Sequence, residues 1–213
     1  MVSGSWARYA PLSGVLAVAL LVVATIVTGF DSVDSDDSTQ KVIDFWTDND
    51  GQQIAGAFIG ALAAVPLLWF LGSLRSALRR AEGDTGRLSA IAYAGGIVLV
   101  AFAVVDSSLQ FAVAESVGDV PPGVTQTLSV LYNDFFLGFP VGLGTLLLAS
   151  SLAILRTGVL PAWLGWVALL LGIVSLTPIG FFAFFVVLAW IAVVSVLLFR
   201  QQAPTPTAAT VPG

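Results

Sequence analysis

Long apolar windows dominate this chain, and they are close to the length a helix needs to cross a bilayer. A transmembrane helix takes roughly 20 mainly apolar residues to cover about 30 Å of hydrocarbon. Such windows run from Ala10 to Phe30, Ile54 to Leu74, Leu88 to Ala114, Thr127 to Leu155, Ala162 to Leu176 and Gly180 to Phe199. Only Thr177, Pro178, Ile179 and Gly180 separate the last two. A single helix over both would be about 57 Å long, more than a bilayer accepts, so those four residues are expected to turn. Composition agrees: 57% of residues are hydrophobic and 10% charged, against about 45–50% and about 25% in soluble domains. The expected fold class is an all-α membrane protein, a bundle of six transmembrane helices.

Charge placement supports the same division. With six spans, Arg8, Arg75, Arg79, Arg80, Arg87, Arg156 and Arg200 fall on one side and Lys41 alone on the other. The positive-inside rule makes the arginine side cytoplasmic and puts both termini there. Arg8 before an apolar run also fits a cleaved signal peptide. The run is longer than a usual signal core, however, and no A-x-A site follows, so an uncleaved anchor is the expectation. The chain then divides into a cytoplasmic N-terminus (1–9), a transmembrane domain (10–200) and a disordered Pro/Thr/Ala tail (201–213) on the cytoplasmic side.

Several classes of chemistry are excluded by residue type. There is no cysteine and no histidine, which removes thiolate ligands and nucleophiles, the usual haem and zinc ligand, and the usual general base near neutral pH. The net charge is −5, so no basic face is offered to nucleic acid.

Residues 31–50, DSVDSDDSTQKVIDFWTDND, carry seven aspartates and one lysine between the first two spans. The acid-rich first half is expected to be a flexible, solvated extracytoplasmic loop. Val42, Phe45 and Trp46 then share a helical face, with Ile43 beside them, which predicts a short amphipathic segment lying on the outer membrane surface. TDNDG (47–51) resembles a fragment of a calcium loop. Trp46 stands where the first ligand belongs and Ala57 where the closing glutamate belongs, so no metal site is expected.

Small residues four apart let membrane helices approach closely. Gly56, Gly60 and Ala64 form such a stripe on the second span, and Gly138 and Gly142 on the fourth. Pro66 and Pro140 are expected to kink these two helices, and the two to be central. Gly95 and Gly96 are read as packing residues, and Trp163 and Trp166 as an aromatic anchor at the inner interface. SLRSALR (73–79) and SLAILR (151–156) match too loosely to establish an inverted repeat.

Polar residues inside the spans concentrate at one depth. Asp106 lies about 28 Å beyond Arg87 and Asp134 about 33 Å from Arg156 at helical rise. Around them fall Ser107, Ser108 and Gln110 on the third span, and Tyr132 and Asn133 on the fourth. No cation lies at that depth to neutralise either acid. The cluster Asp106, Gln110, Tyr132, Asn133 and Asp134 therefore supports two readings. One is an outward-opening cavity that responds to protons or cations; the other is a set of acids that tilted helices leave in the headgroup zone. A third idea, an intramembrane aspartyl protease, fails on sequence: that family sets tyrosine directly before one aspartate, whereas Asn133 separates Tyr132 from Asp134.

SLRSALRRAEGDTGRLSAIAYAGG (73–96) and ILRTGVLPAWLGWVALLLG (154–172) resemble a broad group of uncharacterised six-span bacterial integral membrane proteins of the domain-of-unknown-function type, over residues 6–200. The resemblance implies architecture and a bacterial plasma membrane, and brings no catalytic residues. The functional expectation is a non-enzymatic accessory or scaffold unit without cofactor, acting in the lipid bilayer through a membrane-protein partner or by homo-oligomerising along a glycine-lined face. The alternative is a small proton- or cation-linked transporter or channel using Asp106 and Asp134.

Overall fold

The computed structural model describes residues 6–83, 86–177, 180 and 184–201. Among them are eight α-helices: α1 (Trp6–Tyr9), α2 (Ser13–Thr28), α3 (Thr39–Glu82), α4 (Arg87–Ser116), α5 (Pro122–Asp134), α6 (Gly138–Thr157), α7 (Ala162–Ser175) and α8 (Phe184–Gln201), with a 3-10 turn at Ala10–Leu12. No strand occurs among the described residues. Five helical segments are long and apolar enough to cross a membrane: Ala10–Thr28, α3, α4, α5 with α6, and α8; α7 is a shorter apolar helix. The all-α class is as expected. Pro178 and Ile179, at the centre of the expected turn, and residues 202–213 of the expected tail lie outside the described residues.

Neighbours in the bundle follow the chain. α2 packs on α3, α3 on α4, α4 on α6, and α6 on α7, while α8 returns to lie against α2. One apolar core runs through these helices, with Phe70, Leu71, Leu74 and Leu78 from α3, Leu143, Leu146 and Leu147 from α6, Leu164 from α7, and Val194 from α8 all buried. The Trp190 indole of α8 donates to the Leu164 carbonyl of α7 at 3.1 Å, closing the bundle between its last two helices. The outer surface is equally apolar: Ile26, Phe58 and Leu170 are 66%, 63% and 63% exposed. A soluble monomer rarely shows so continuous an apolar exterior, and a lipid-facing surface requires one.

Glycine sets the closest approach. A Cβ on Gly142 would lie 2.9 Å from Leu99 Cα, and one on Gly95 would lie 2.9 Å from the Gly142 carbonyl oxygen. α4 and α6 therefore meet backbone to backbone, the arrangement read from Gly142 and from the in-span Gly95. The other expected stripe is also internal: Gly56 abuts Thr28 of α2, and Gly60 faces Ser107 of α4.

Three expectations are corrected. The fourth span is not one helix from Thr127 to Leu155, because the chain breaks at Phe135–Leu137 between α5 and α6. Pro140 supplies the cause: in an unbroken helix its ring would clash with the carbonyl of residue 136 and its missing N–H would leave a gap. Instead it sits in the first turn of α6, where no intrahelical donor is needed. It starts a helix where a kink was expected. Secondly, α3 begins at Thr39, capped by Ser38, whose side chain accepts from the Lys41 backbone N–H. At 44 residues it is about 66 Å long and projects well past any hydrocarbon slab. The segment expected to lie flat on the membrane is the projecting end of this helix. Its apolar face, Val42 and Trp46, is buried against protein. Thirdly, the acid-rich loop is tied down: Val33 is 4% exposed within that same cluster. Pro66 lies inside α3, which continues through it.

The opposite end carries the arginines. Gly83 and Gly86, at φ +71° and +51°, make the α3–α4 turn with backbone angles that disfavour any Cβ. Glu82 then caps α4, accepting from the backbone N–H of Leu88 and Ser89 at 3.0 and 2.9 Å. The Arg75 guanidinium lies 4.9 Å from the centroid of the Tyr93 ring and that of Arg8 5.6 Å from Phe199. Trp163 and Trp166 are both exposed near the start of α7, at this end.

The α4–α6 crossing predicts a sharp contrast. Gly142→Ala forces backbone apart and is expected to cost about 1–3 kcal/mol, as overpacking does. Gly72, where an added Cβ meets nothing within 4 Å, should accept alanine with a gain of about 0.5–1 kcal/mol from helix propensity. Thermal unfolding in detergent followed by circular dichroism tests the contrast, and equal melting temperatures for the two variants would contradict it.

Candidate functional site

The end of the bundle away from the arginines is a folded cap. It consists of the loop 29–38, the first turns of α3, the last turns of α4, and α5. Its small apolar interior is Val33, Val42, Trp46, Val113 and Ala114, with Phe45, Ile54, Val117, Leu128 and Tyr132 packed around them. Side-chain hydrogen bonds fasten the pieces. Trp46 donates from its indole to Ser129 Oγ at 3.0 Å, joining α3 to α5 within the cap's interior. Thr39 Oγ1 bonds Gln126 Oε1, and the Gln126 amide donates to the Asp37 carbonyl at 3.5 Å.

The five residues expected to form one polar cluster separate into three environments. Gln110 is buried and donates to Gln53 Oε1 at 2.6 Å, and Gln53 donates in turn to the Thr28 carbonyl at the end of α2, at 3.1 Å. That chain ties three helices together where the apolar bundle meets the cap. Tyr132, Asn133 and Asp134 belong to the cap itself. The Tyr132 ring stands edge-on to Trp46, 5.8 Å between centroids. Asn133 donates to the Val33 carbonyl at 2.7 Å. Asp134, at the exposed C-terminus of α5, accepts from Ser35 Oγ at 3.1 Å. These two bonds, 133 to 33 and 134 to 35, hold the acidic loop.

Asp106 is in the third environment. It is half-buried, within electrostatic reach of Tyr132, and has no hydrogen-bond partner among the described residues. One helical turn earlier, Phe102 stacks on Phe135 with centroids 5.4 Å apart, so this face of α4 looks toward the break between α5 and α6. Of its neighbours, Ser107 is buried toward Gly60, and Ser108 is exposed and bonds the Val104 carbonyl at 2.7 Å. Asp106 and Asp134 thus face different surroundings. They do not form a shared carboxylate pair.

Outside the spans, Lys41 and Asp37 pair at 2.8 Å. The ammonium, with the Asp34 N–H, holds the Asp37 carboxyl below its ordinary 3.8 and the carboxylate holds Lys41 above its ordinary 10.5. A depressed carboxylate adds stability above its unfolded value and loses it as pH falls through the folded one. The pair lies at the surface, with Lys41 exposed and Asp37 partly covered, so its contribution is small. Among the described residues, no three acidic side chains converge as a metal-binding group.

Gln53 was not singled out from the sequence, although its place was legible. Val42, Trp46, Gln53, Gly56 and Gly60 recur at helical spacing on one stripe of α3, which marks the buried face through the cap and into the bundle. Ser129 and Gln126 carry no comparable signal, because they act through partners more than 80 positions away.

The amide pair makes a measurable prediction. Gln110→Leu is expected to lower stability by about 0.6–1.7 kcal/mol, the range for interhelical hydrogen bonds in membranes, because it strands Gln53. The double variant Gln53→Leu/Gln110→Leu should lose less than the sum of the single losses. Chemical unfolding of all four proteins in mixed micelles measures this, and strictly additive losses would contradict a direct bond. No family model, curated protein or solved structure matches this chain.

Proposed function

We propose that the protein is an integral membrane protein threading the bilayer six times, with both termini cytoplasmic, and that it serves as a non-enzymatic accessory or scaffold unit presenting the acidic cap to a partner outside the membrane. On this reading it lies beside the six-span bacterial plasma-membrane proteins that its arginine-bearing turns resemble. The observation that carries it is the cap. Val33, Val42, Trp46, Val113 and Ala114 are directed inward, and with the Trp46 and Asn133 hydrogen bonds they hold loop 29–38, α3, α4 and α5 together. Its outer surface carries the exposed carboxylates of Asp36, Asp44, Asp48, Asp50, Glu115 and Asp119, with Lys41 as the lone cation, beside the exposed apolar side chains of Phe30, Val124 and Leu131. An ordered surface of one charge sign favours a partner of the opposite sign and speeds the encounter. The glycine stripes are spent within the bundle, which moves the expected contact from a glycine-lined lateral face to the cap. α7 spans about 21 Å, and bilayer thinning or snorkelling of flanking side chains can cover its deficit at fractions of a kcal/mol per Å.

Asp106 favours a second reading, a proton- or cation-linked transporter, since it is a half-buried acid with no bonded partner among the described residues. Asp134, exposed and bonded to Ser35, offers this reading little.

The absence of native cysteine permits a clean test of topology. An impermeant maleimide applied to intact cells should label Asp36→Cys and leave Gln201→Cys unlabelled until the membrane is opened; the reverse pattern overturns the orientation. In proteoliposomes, the wild type should give no more proton or cation flux than protein-free vesicles. Flux that Asp106→Asn abolishes would replace the scaffold reading with the transporter. A photo-crosslinker at Asp48 or Asp119 should capture one recurrent neighbour in native membranes, and neutralising the cap carboxylates to Asn should remove it.

A further inference from the structure

At the arginine-bearing end, one face of α3 is left open by the other α-helices among the described residues. Leu68, Trp69, Gly72, Ser73, Ser76 and Arg80 line a groove of about 670 Å³, with Ala10 on its far side. A second recess of about 380 Å³ adjoins it, sharing Ser76 and Arg80 and adding Arg79 and Gly83. The two ends of this surface differ in chemistry. Trp69 is 66% exposed and apolar, with Val65 and Leu68 exposed beside it. Two to three turns further along are hydroxyls and guanidinium groups. Gly72, between them, leaves the floor open: nothing lies within 4 Å of where its Cβ would be.

Among the described residues no carboxylate faces these charges. Glu82, the nearest acid in sequence among the described residues, is committed to the backbone amides of Leu88 and Ser89. Arg75 lies over the Tyr93 ring. The ion pair among the described residues is Lys41–Asp37, at the other end of the molecule. Arg79 and Arg80 therefore have no carboxylate partner among the described residues. Ser73 and Ser76 turn their protons back onto the Trp69 and Gly72 carbonyls, at 3.0 and 2.8 Å, which leaves their oxygens free to accept.

We propose that this groove is a binding site for an anionic glycerophospholipid. The phosphate lies against Arg80 and Arg79, the glycerol backbone passes Ser76, and an acyl chain runs over Gly72 and along Trp69. Guanidinium matches phosphate with two parallel hydrogen bonds. The arginine stem can reach along the helix to hold its head at headgroup depth. The order of groups along α3, apolar then hydroxyl then cationic, matches the order along a lipid from chain to glycerol to phosphate. The combined shape, apolar at one end and cationic at the other, selects a lipid over a free anion. The proposal rests on the membrane reading above but is independent of which end faces the cytoplasm.

Fluorescence quenching tests it. Full-length protein is reconstituted in phosphatidylcholine vesicles carrying a minor fraction of lipid brominated on its acyl chains, either phosphatidylglycerol or phosphatidylcholine. The Trp69 signal is the difference between wild type and Trp69→Phe. Brominated phosphatidylglycerol should be enriched at Trp69 by about fivefold over brominated phosphatidylcholine, the factor that one basic side chain adds near an anionic lipid. Arg80→Gln should remove that preference. Gly72→Leu, which fills the groove in open space and leaves every charge in place, should remove it too, and Arg200→Gln should leave it intact. Equal quenching by the two lipids overturns the site, as does a preference that survives both Arg80→Gln and Gly72→Leu. Displacement by millimolar inorganic phosphate overturns the lipid assignment in favour of a free anion. If neither brominated lipid quenches any tryptophan, the membrane reading itself fails.

Discussion

A polar side chain in hydrocarbon has no water to bond, so it must find its partner inside the protein. Gln53 and Gln110 solve that problem for each other at the level where the apolar bundle gives way to the cap. Their position explains the join. On one side lie Gly56 and Gly60, packed against Thr28 and Ser107 with nothing but van der Waals contact. On the other, every element is fastened by hydrogen bonds to indole, amide and hydroxyl groups. Because Gln53 also reaches the Thr28 carbonyl, the pair satisfies the last turn of α2 as well. The three helices are fixed in register by directional bonds that close packing alone would not supply.

That register makes the long α3 useful. One stripe of it is buried along the bundle, and its first four turns extend that stripe into the cap. Loop 29–38 and α5 fold against this extension. A small domain joined by a flexible linker would move independently of the membrane part. Here a single helix crosses the boundary without interruption, so the acidic surface is carried rigidly. A surface that recognises a partner loses less entropy on binding when it is already ordered, which is the physical basis for reading the cap as a docking surface.

Legibility in the sequence tracked the range of the responsible interaction. Hydropathy located the apolar segments, and glycine spacing at 56, 60, 95 and 142 located the close contacts, since both are local patterns with a fixed period. The break in the fourth segment was missed although Pro140 was noticed. A proline can kink a helix or begin one, and the choice depends on whether Phe135–Leu137 gains more from the stack on Phe102 than from continuing the helix. The acidic loop was misread for a similar reason. DSVDSDDS has a single apolar residue, Val33, and its composition alone predicts a solvated chain. Its order comes from Asn133 and Asp134, a hundred positions away, contacts that no local window contains. The polar cluster was correctly placed at one end and wrongly treated as a unit, because depth along a helix is countable from sequence whereas the direction each side chain faces is not.

The two ends of the molecule handle charge differently. At the arginine end, Glu82 caps a helix, Arg75 and Arg8 lie over aromatic rings, and Arg79 and Arg80 have no carboxylate partner among the described residues. At the acidic end Lys41 is paired with Asp37, Asp134 is bonded to Ser35, and Asp36, Asp48 and Asp50 are left without an ion-pair partner among the described residues. In both cases the surplus charge sits on the surface, where water holds it at little cost, so neither surplus contributes to folding. Charges that do not stabilise the fold are available for contacts beyond it: phosphate at one end and a cationic surface at the other. Asp106 is the exception to this arrangement. It is half-buried, not among the surface carboxylates, and lies next to the break between α5 and α6, where backbone groups are free of helical hydrogen bonds. A carboxyl in that place destabilises the bundle unless it is hydrated or protonated, so its presence there is the strongest physical argument that something other than packing acts on that face of α4.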